Sequence, residues 1–179
     1  MPTHILAFDP GKSSGISQAM LTEDGHLEFI GTWQVSGGAV GLKRWLLSTG
    51  NLGSYNDFHV IAEKFIPFGI KGANYTVDSL EPLVGEGVLI ALDYLPAWDK
   101  SEPQWQVASK QYMYGGKTKV EKRKLAKEFL KKHGWYLTGK NVGQPDAEDA
   151  ISARLHVIYY ITHTLRHKPF WDRYFEGAN

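Results

Sequence analysis

The 179 residues are 42% hydrophobic and 13% aromatic, enough to bury one sizeable core, so a single domain over residues 1–166 with a C-terminal tail at 167–179 is expected. There is no cysteine, which excludes a disulfide framework, thiol catalysis and Cys-ligated zinc or iron–sulfur sites. No uninterrupted apolar run reaches the roughly 18 residues of a membrane span, and the chain is expected to be soluble and cytoplasmic. The net charge of +1 conceals an asymmetry: Ser109 to Lys140 holds ten basic residues against two acidic ones, a net +8, leaving −7 in the remainder. A basic element set against an acidic body suits a polyanion bound near a cation-binding acidic site.

In chain order, His4 to Asp9 is a short apolar run that stops at Pro10-Gly11, the pattern of a buried strand. Gly15–Leu21 and Leu27–Val35 follow as strands, joined by a hairpin at Asp24-Gly25. Gly37-Gly38 break the strand pattern, and Leu42, Trp45 and Leu46, spaced by three and four, share one helical face. Phe58–Ala62 predicts a second buried strand, ending at Glu63. Beyond an irregular stretch, Ser79–Leu95 predicts a helix in which Gly85 and Gly87 allow close packing, and Trp105–Ala108 a short strand. Lys119–His133 reads as a basic amphipathic helix, and Asp146–His163, started by Pro145, as a last, largely apolar helix. Early strands followed by alternating helix and strand predict an α/β fold with a mixed sheet flanked by helices, and a site where central strands end.

Asp9 and Glu63 each fall at the C-terminal end of an apolar run, so neighbouring strands would bring both carboxylates to one sheet edge. Asp146 and Asp149, three apart at a helix start, are expected on one helical face with Cβ atoms about 5–6 Å apart. Four crowded carboxylates repel, and the usual resolution is a hard cation with oxygen ligands, Mg²⁺ with Mn²⁺ as substitute. Two such ions about 3.5–4 Å apart activate a water and stabilise the leaving oxygen of a phosphodiester. Singly, Asp before Pro-Gly is a common turn former and an Asp pair at a helix start a common cap. Four acids, each at the correct end of its element, are harder to obtain by accident.

Ile5-Leu6-Ala7-Phe8-Asp9-Pro10-Gly11, with Gly15 following, resembles the first motif of the RuvC-type Holliday junction resolvases. Val60-Ile61-Ala62-Glu63-Lys64-Phe65 resembles the second, and Pro145-Asp146-Ala147-Glu148-Asp149-Ala150-Ile151-Ser152-Ala153 the third and most specific. The resemblance implies a ribonuclease-H-like five-stranded sheet flanked by helices, a homodimer, and paired nicks that resolve four-way DNA junctions with two metal ions per site. By motif position it implies that Asp9 bridges both metals, that Glu63 and Asp149 each complete a site, and that Asp146 ligates or orients water. The family's junction-probing segment falls on Lys64–Asp78, where Phe65, Phe68 and Tyr75 either stack on unpaired bases or serve packing or a dimer contact. Its DNA-contacting segment falls on the basic helix, making Lys119, Lys122 and Lys124, with Lys117 in the loop just before it, the expected phosphate contacts. The lack of a docking motif for a branch-migration motor points to a stand-alone enzyme of the phage type.

Gly116-Lys117-Thr118 mimics the end of a P-loop, but the earlier glycine falls on Gln111, and no nucleotide cofactor is expected. Alternative readings are a broader branched-DNA or RNA-processing nuclease on the same fold, and a non-catalytic junction-binding module whose acids are structural remnants.

Overall fold

The structure, a computed structural model, describes residues 1–48, 58–66, 77–94, 105–107 and 118–175. Its strands are β1 (Thr3–Asp9), β2 (Ser13–Leu21), β3 (Leu27–Ser36), β4 (Phe58–Lys64) and β5 (Trp105–Val107). Its helices are α1 (Gly38–Ser48), α2 (Val77–Ala91), α3 (Lys119–Lys132), α4 (Gly139–Val142), α5 (Glu148–Tyr159) and α6 (Lys168–Tyr174). The strands form one sheet in the order β3-β2-β1-β4-β5. β1, β2 and β3 are antiparallel neighbours, whereas β4 and β5 extend the sheet from β1 in parallel. The expected α/β fold, with a mixed five-stranded sheet flanked by helices, is thus present.

Side chains alternate across the sheet and divide the core in two. Ile5, Ala7 and Ile61 face the cluster formed with Ala126 and Leu130 of α3, with α5, and with Phe170 of α6. Leu6, Phe8, Val60 and Ala62 face the opposite cluster, with Leu42 and Leu46 of α1 and Leu89 of α2. The β2–β3 turn carries Gly25 at φ +85°, where a Cβ would also lie 2.4 Å from the Pro169 backbone, so only glycine fits. α3 starts at a capping box in which Thr118 and Glu121 each accept the other's backbone N–H, 3.1 Å in both directions.

Two expectations are corrected here. Residues 167–179 are not simply a tail: Lys168–Tyr174 form α6, His167 accepts the Phe170 N–H at its start, and Phe170 is fully buried. Burial of an aromatic ring ties this short segment down where its length alone would not. The preceding helix begins at Glu148, not Asp146, and its last turn continues as a π-helical turn at Tyr160–Thr164. Among the described residues no helix is long and apolar enough to cross a membrane.

Candidate active site

Asp9 and Glu63 are brought together by strand register. β1 and β4 run parallel with Phe8 opposite Ala62, so Asp9 and Glu63 are the next residues of adjacent strands. By alternation both share the face of Ala7 and Ile61, the side covered by α5. Asp149 enters from the first turn of α5. That helix approaches β2 so closely that a Cβ on Gly15 would lie 1.9 Å from the Asp149 carbonyl oxygen. Gly15 is also the partner of Asp9 in the β1–β2 ladder. One residue without a side chain therefore seats Asp149 beside Asp9.

The electrostatics record the crowding. Burial pushes Asp9 well above the usual carboxylate range, with Glu63 and then Asp149 adding to the rise. Asp149 is pushed up to about 6, by burial first and then by Asp146, Glu148 and Glu63. Hydroxyls partly offset both shifts: Ser152 lies against Asp9 and Ser13 against Asp149. Both hydroxyl oxygens are buried, and neither makes a hydrogen bond of regular geometry among the described residues. Oxygen donors with raised pKa values and hydroxyls in reserve fit a hard divalent cation, whose charge relieves the repulsion. As placed, no group of three or more Asp, Glu, His or Cys side chains among the described residues stands close enough to hold a metal ion.

Asp146 departs from the expectation of a shared helical face. It lies two residues before α5, fully exposed to solvent, and its Oδ1 accepts the Glu148 N–H at 3.2 Å. Its pKa is lowered by the Gln34 amide and then by that backbone N–H. Thus Asp9, Glu63 and Asp149 converge on one edge, while Asp146 stands at the rim and serves the helix start.

Several residues of the site are not visible in the motifs. Gln34 of β3 caps α5 from across the sheet: its Oε1 accepts the N–H groups of Asp149 (3.2 Å) and Ala150 (3.3 Å). Its Nε2 donates to the Asp146 carbonyl (3.1 Å) and carboxylate (3.0 Å). Ala147 at the N-cap has no side chain able to do this. His156, one α5 face along from Asp149 by its spacing of seven, is fully buried and places Nε2 2.8 Å from Glu63 Oε2. Its Nδ1 lies 2.7 Å from Gln106 Oε1, and the Gln106 amide returns to the His156 carbonyl at 3.3 Å. Glu63 is therefore oriented by a buried imidazole that is itself held by β5. Glu86 of α2 is buried too, accepts the Phe65 N–H, and is pushed up to about 7 mainly by burial. The only advance signal for these residues is the Asp149–His156 spacing.

The basic helix abuts this edge. Lys127 of α3 pairs with Glu148, next to Asp149, at 2.6 Å. Lys119 and Lys124 are exposed, Lys122 is half-buried, and Lys124 lies 3.8 Å from Glu128. Phe65 is half-buried just past β4. Lys117, Phe68 and Tyr75 lie outside the described residues. Comparison of the chain with protein-family models, with curated proteins and with solved structures finds no match in any of the three.

Proposed function

We propose that this chain is a divalent-cation-dependent nuclease of ribonuclease-H-like fold that cuts four-way DNA junctions as a homodimer. The observation that carries the reading is the convergence of Asp9, Glu63 and Asp149 on one sheet edge, from two adjacent parallel strands and a helix packed onto Gly15. These carboxylates would hold the cations, with Asp146 at the rim. Bound Mg²⁺ or Mn²⁺ supplies activation of a water and neutralisation of charge on the scissile phosphate. The chain's own part is positional. His156 aims Glu63, Gln34 fixes the start of α5, and Gly15 sets the distance between α5 and the sheet.

The exposed lysines of α3 lie on the element that Lys127 ties to Glu148, so a phosphate backbone held there runs past the acid edge. The preference for four-way junctions comes from the motif resemblance. A second copy has an apolar surface to meet: Val40 and Leu47 of α1 are 67% and 64% exposed, and Leu83 and Val84 of α2 are exposed beside them.

The test is incubation of the protein with labelled four-way junctions, flaps, linear duplex and RNA–DNA hybrids, in Mg²⁺ and in chelator. Symmetric paired nicks in the junction, present only with the cation, are expected. Preferred cutting of RNA–DNA hybrids or flaps would replace the substrate, and cutting in chelator would overturn the mechanism.

A further inference from the structure

Glu86 poses a problem that the proposed chemistry leaves unsolved. α2 lies close against the turn after β1, where a Cβ on Gly85 would stand 2.7 Å from Pro10 Cβ, and the next residue, Glu86, is only 1% exposed. A buried carboxylate is costly unless its oxygens are used. Oε1 accepts the Phe65 N–H, while Oε2 has no hydrogen-bond partner among the described residues. Packing alone would favour a methionine or leucine of similar volume.

What the carboxylate supplies is an acceptor at the point where the sheet stops supplying one. The β1–β4 register ends at Phe8–Ala62 and the β4–β5 register at Lys64–Val107, so Phe65 is the first residue past the ladder. Phe65 is two residues beyond Glu63, and a backbone released there would let the end of β4 fray. Glu63 is thus approached from two sides. His156 of α5 holds its carboxylate, and Glu86 of α2, across the sheet, holds the main chain that carries it.

We propose that Glu86 is a positioning residue of this site: by holding the Phe65 amide it fixes the end of β4 and sets how well Glu63 takes its share of a divalent cation. The inference rests on the nuclease reading and adds a residue of α2 to it. Glu86→Met keeps the volume and removes the acceptor, whereas Glu86→Gln keeps an acceptor and removes the charge.

The experiment measures Mn²⁺ uptake by electron paramagnetic resonance of the free ion, hydrogen exchange of the Phe65 amide, and the melting temperature, for wild type, both variants and Asp9→Asn. Wild type is expected to take up Mn²⁺ and to protect the Phe65 amide. Glu86→Met, melting no lower than wild type, should bind Mn²⁺ roughly 10- to 100-fold more weakly, the effect typical of groups that orient metal ligands, and should exchange Phe65 faster. Glu86→Gln should stay close to wild type in both. Wild-type affinity in Glu86→Met, or a Glu86→Gln variant as weak as Glu86→Met, overturns the positioning role. Absence of Mn²⁺ uptake by wild type overturns the nuclease reading itself, a different failure from wild-type uptake that Glu86→Met leaves unchanged.

Discussion

The acid edge and the basic helix α3 are adjacent, joined by Lys127 and Glu148, yet they are built on opposite principles. At the acid edge each carboxylate is placed by backbone that has little freedom: two neighbouring parallel strands, a helix seated on Gly15, and polar side chains reaching in from β3, β5 and α5. In α3 only Ala126 and Leu130 are buried, and much of the remaining surface is exposed lysine. One region encodes position, the other encodes charge. Chemistry needs the first, because a carboxylate displaced by an ångström no longer meets its cation or phosphate. Attraction of a polyanion needs only the second, because it is long-ranged and tolerant of geometry.

Substitution should expose this difference. The largest effect on stability is expected at Gly15, where alanine drives a Cβ into the Asp149 carbonyl at 1.9 Å. A loss of about 3 kcal/mol, or roughly 6–12 °C in melting temperature for a chain of this length, follows if α5 must be pushed off the sheet. Thermal melts of Gly15→Ala check it, and a wild-type melting temperature would mean that α5 is not seated there.

Gln34→Ala comes next. It removes the side-chain acceptor of the Asp149 and Ala150 N–H groups at the start of α5 and should cost about 1–2 kcal/mol by urea denaturation. It should also raise the Asp146 pKa towards its ordinary value, since the Gln34 amide is what chiefly lowers it. NMR titration of the Asp146 carboxyl distinguishes this from general destabilisation.

The folding elements were largely legible in the sequence because apolar runs ending in turn formers mark strands whatever their neighbours. Asp9 before Pro10-Gly11 and Glu63 after Val60-Ile61-Ala62 are of this kind, as is the hairpin at Gly25. The supporting residues were not. Gln34, Gln106 and Glu86 read in the sequence as ordinary polar positions, although all three are buried, and their roles arise only when β3, β5 and α2 meet elements distant in sequence. Asp146 was misplaced because Pro145 signals a helix start that the chain delays until Glu148. α6 was missed because seven residues carry little periodicity, although Phe170, Trp171, Tyr174 and Phe175 recur at helical spacing after Pro169.

A smaller effect is expected from pH. Asp9, Asp149 and Glu86 have pKa values raised in the folded state, so the stability they contribute is fully present below their ordinary values near 4 and is lost as pH rises through the folded ones, about 6 for Asp149 and about 7 for Glu86. In chelator, the melting temperature of wild type should therefore fall by a few degrees between about pH 5 and pH 7.5. Asp149→Asn should flatten that slope, and added Mg²⁺ should oppose it more at the higher pH. Identical slopes in wild type and Asp149→Asn would place the strain elsewhere.

The smallest effect on catalysis itself is expected in α3. Charge reversal at Lys122 and Lys124 should weaken junction binding and flatten its salt dependence by about one unit of log–log slope per lost phosphate contact, while the cutting rate of bound substrate stays near wild type. A change in single-turnover rate at saturation would move these lysines into the acid edge and erase the contrast between the two regions.

The most direct test of the central claim is single-turnover cutting of a labelled four-way junction in Mg²⁺ by wild type, Asp9→Asn and Asp149→Asn, with junction affinity measured in parallel. Both variants should bind like wild type and cut at least on the order of 10³-fold more slowly, because each removes a cation ligand rather than a phosphate contact. Cutting at the wild-type rate by both variants would contradict the assignment of the acid edge as the active site.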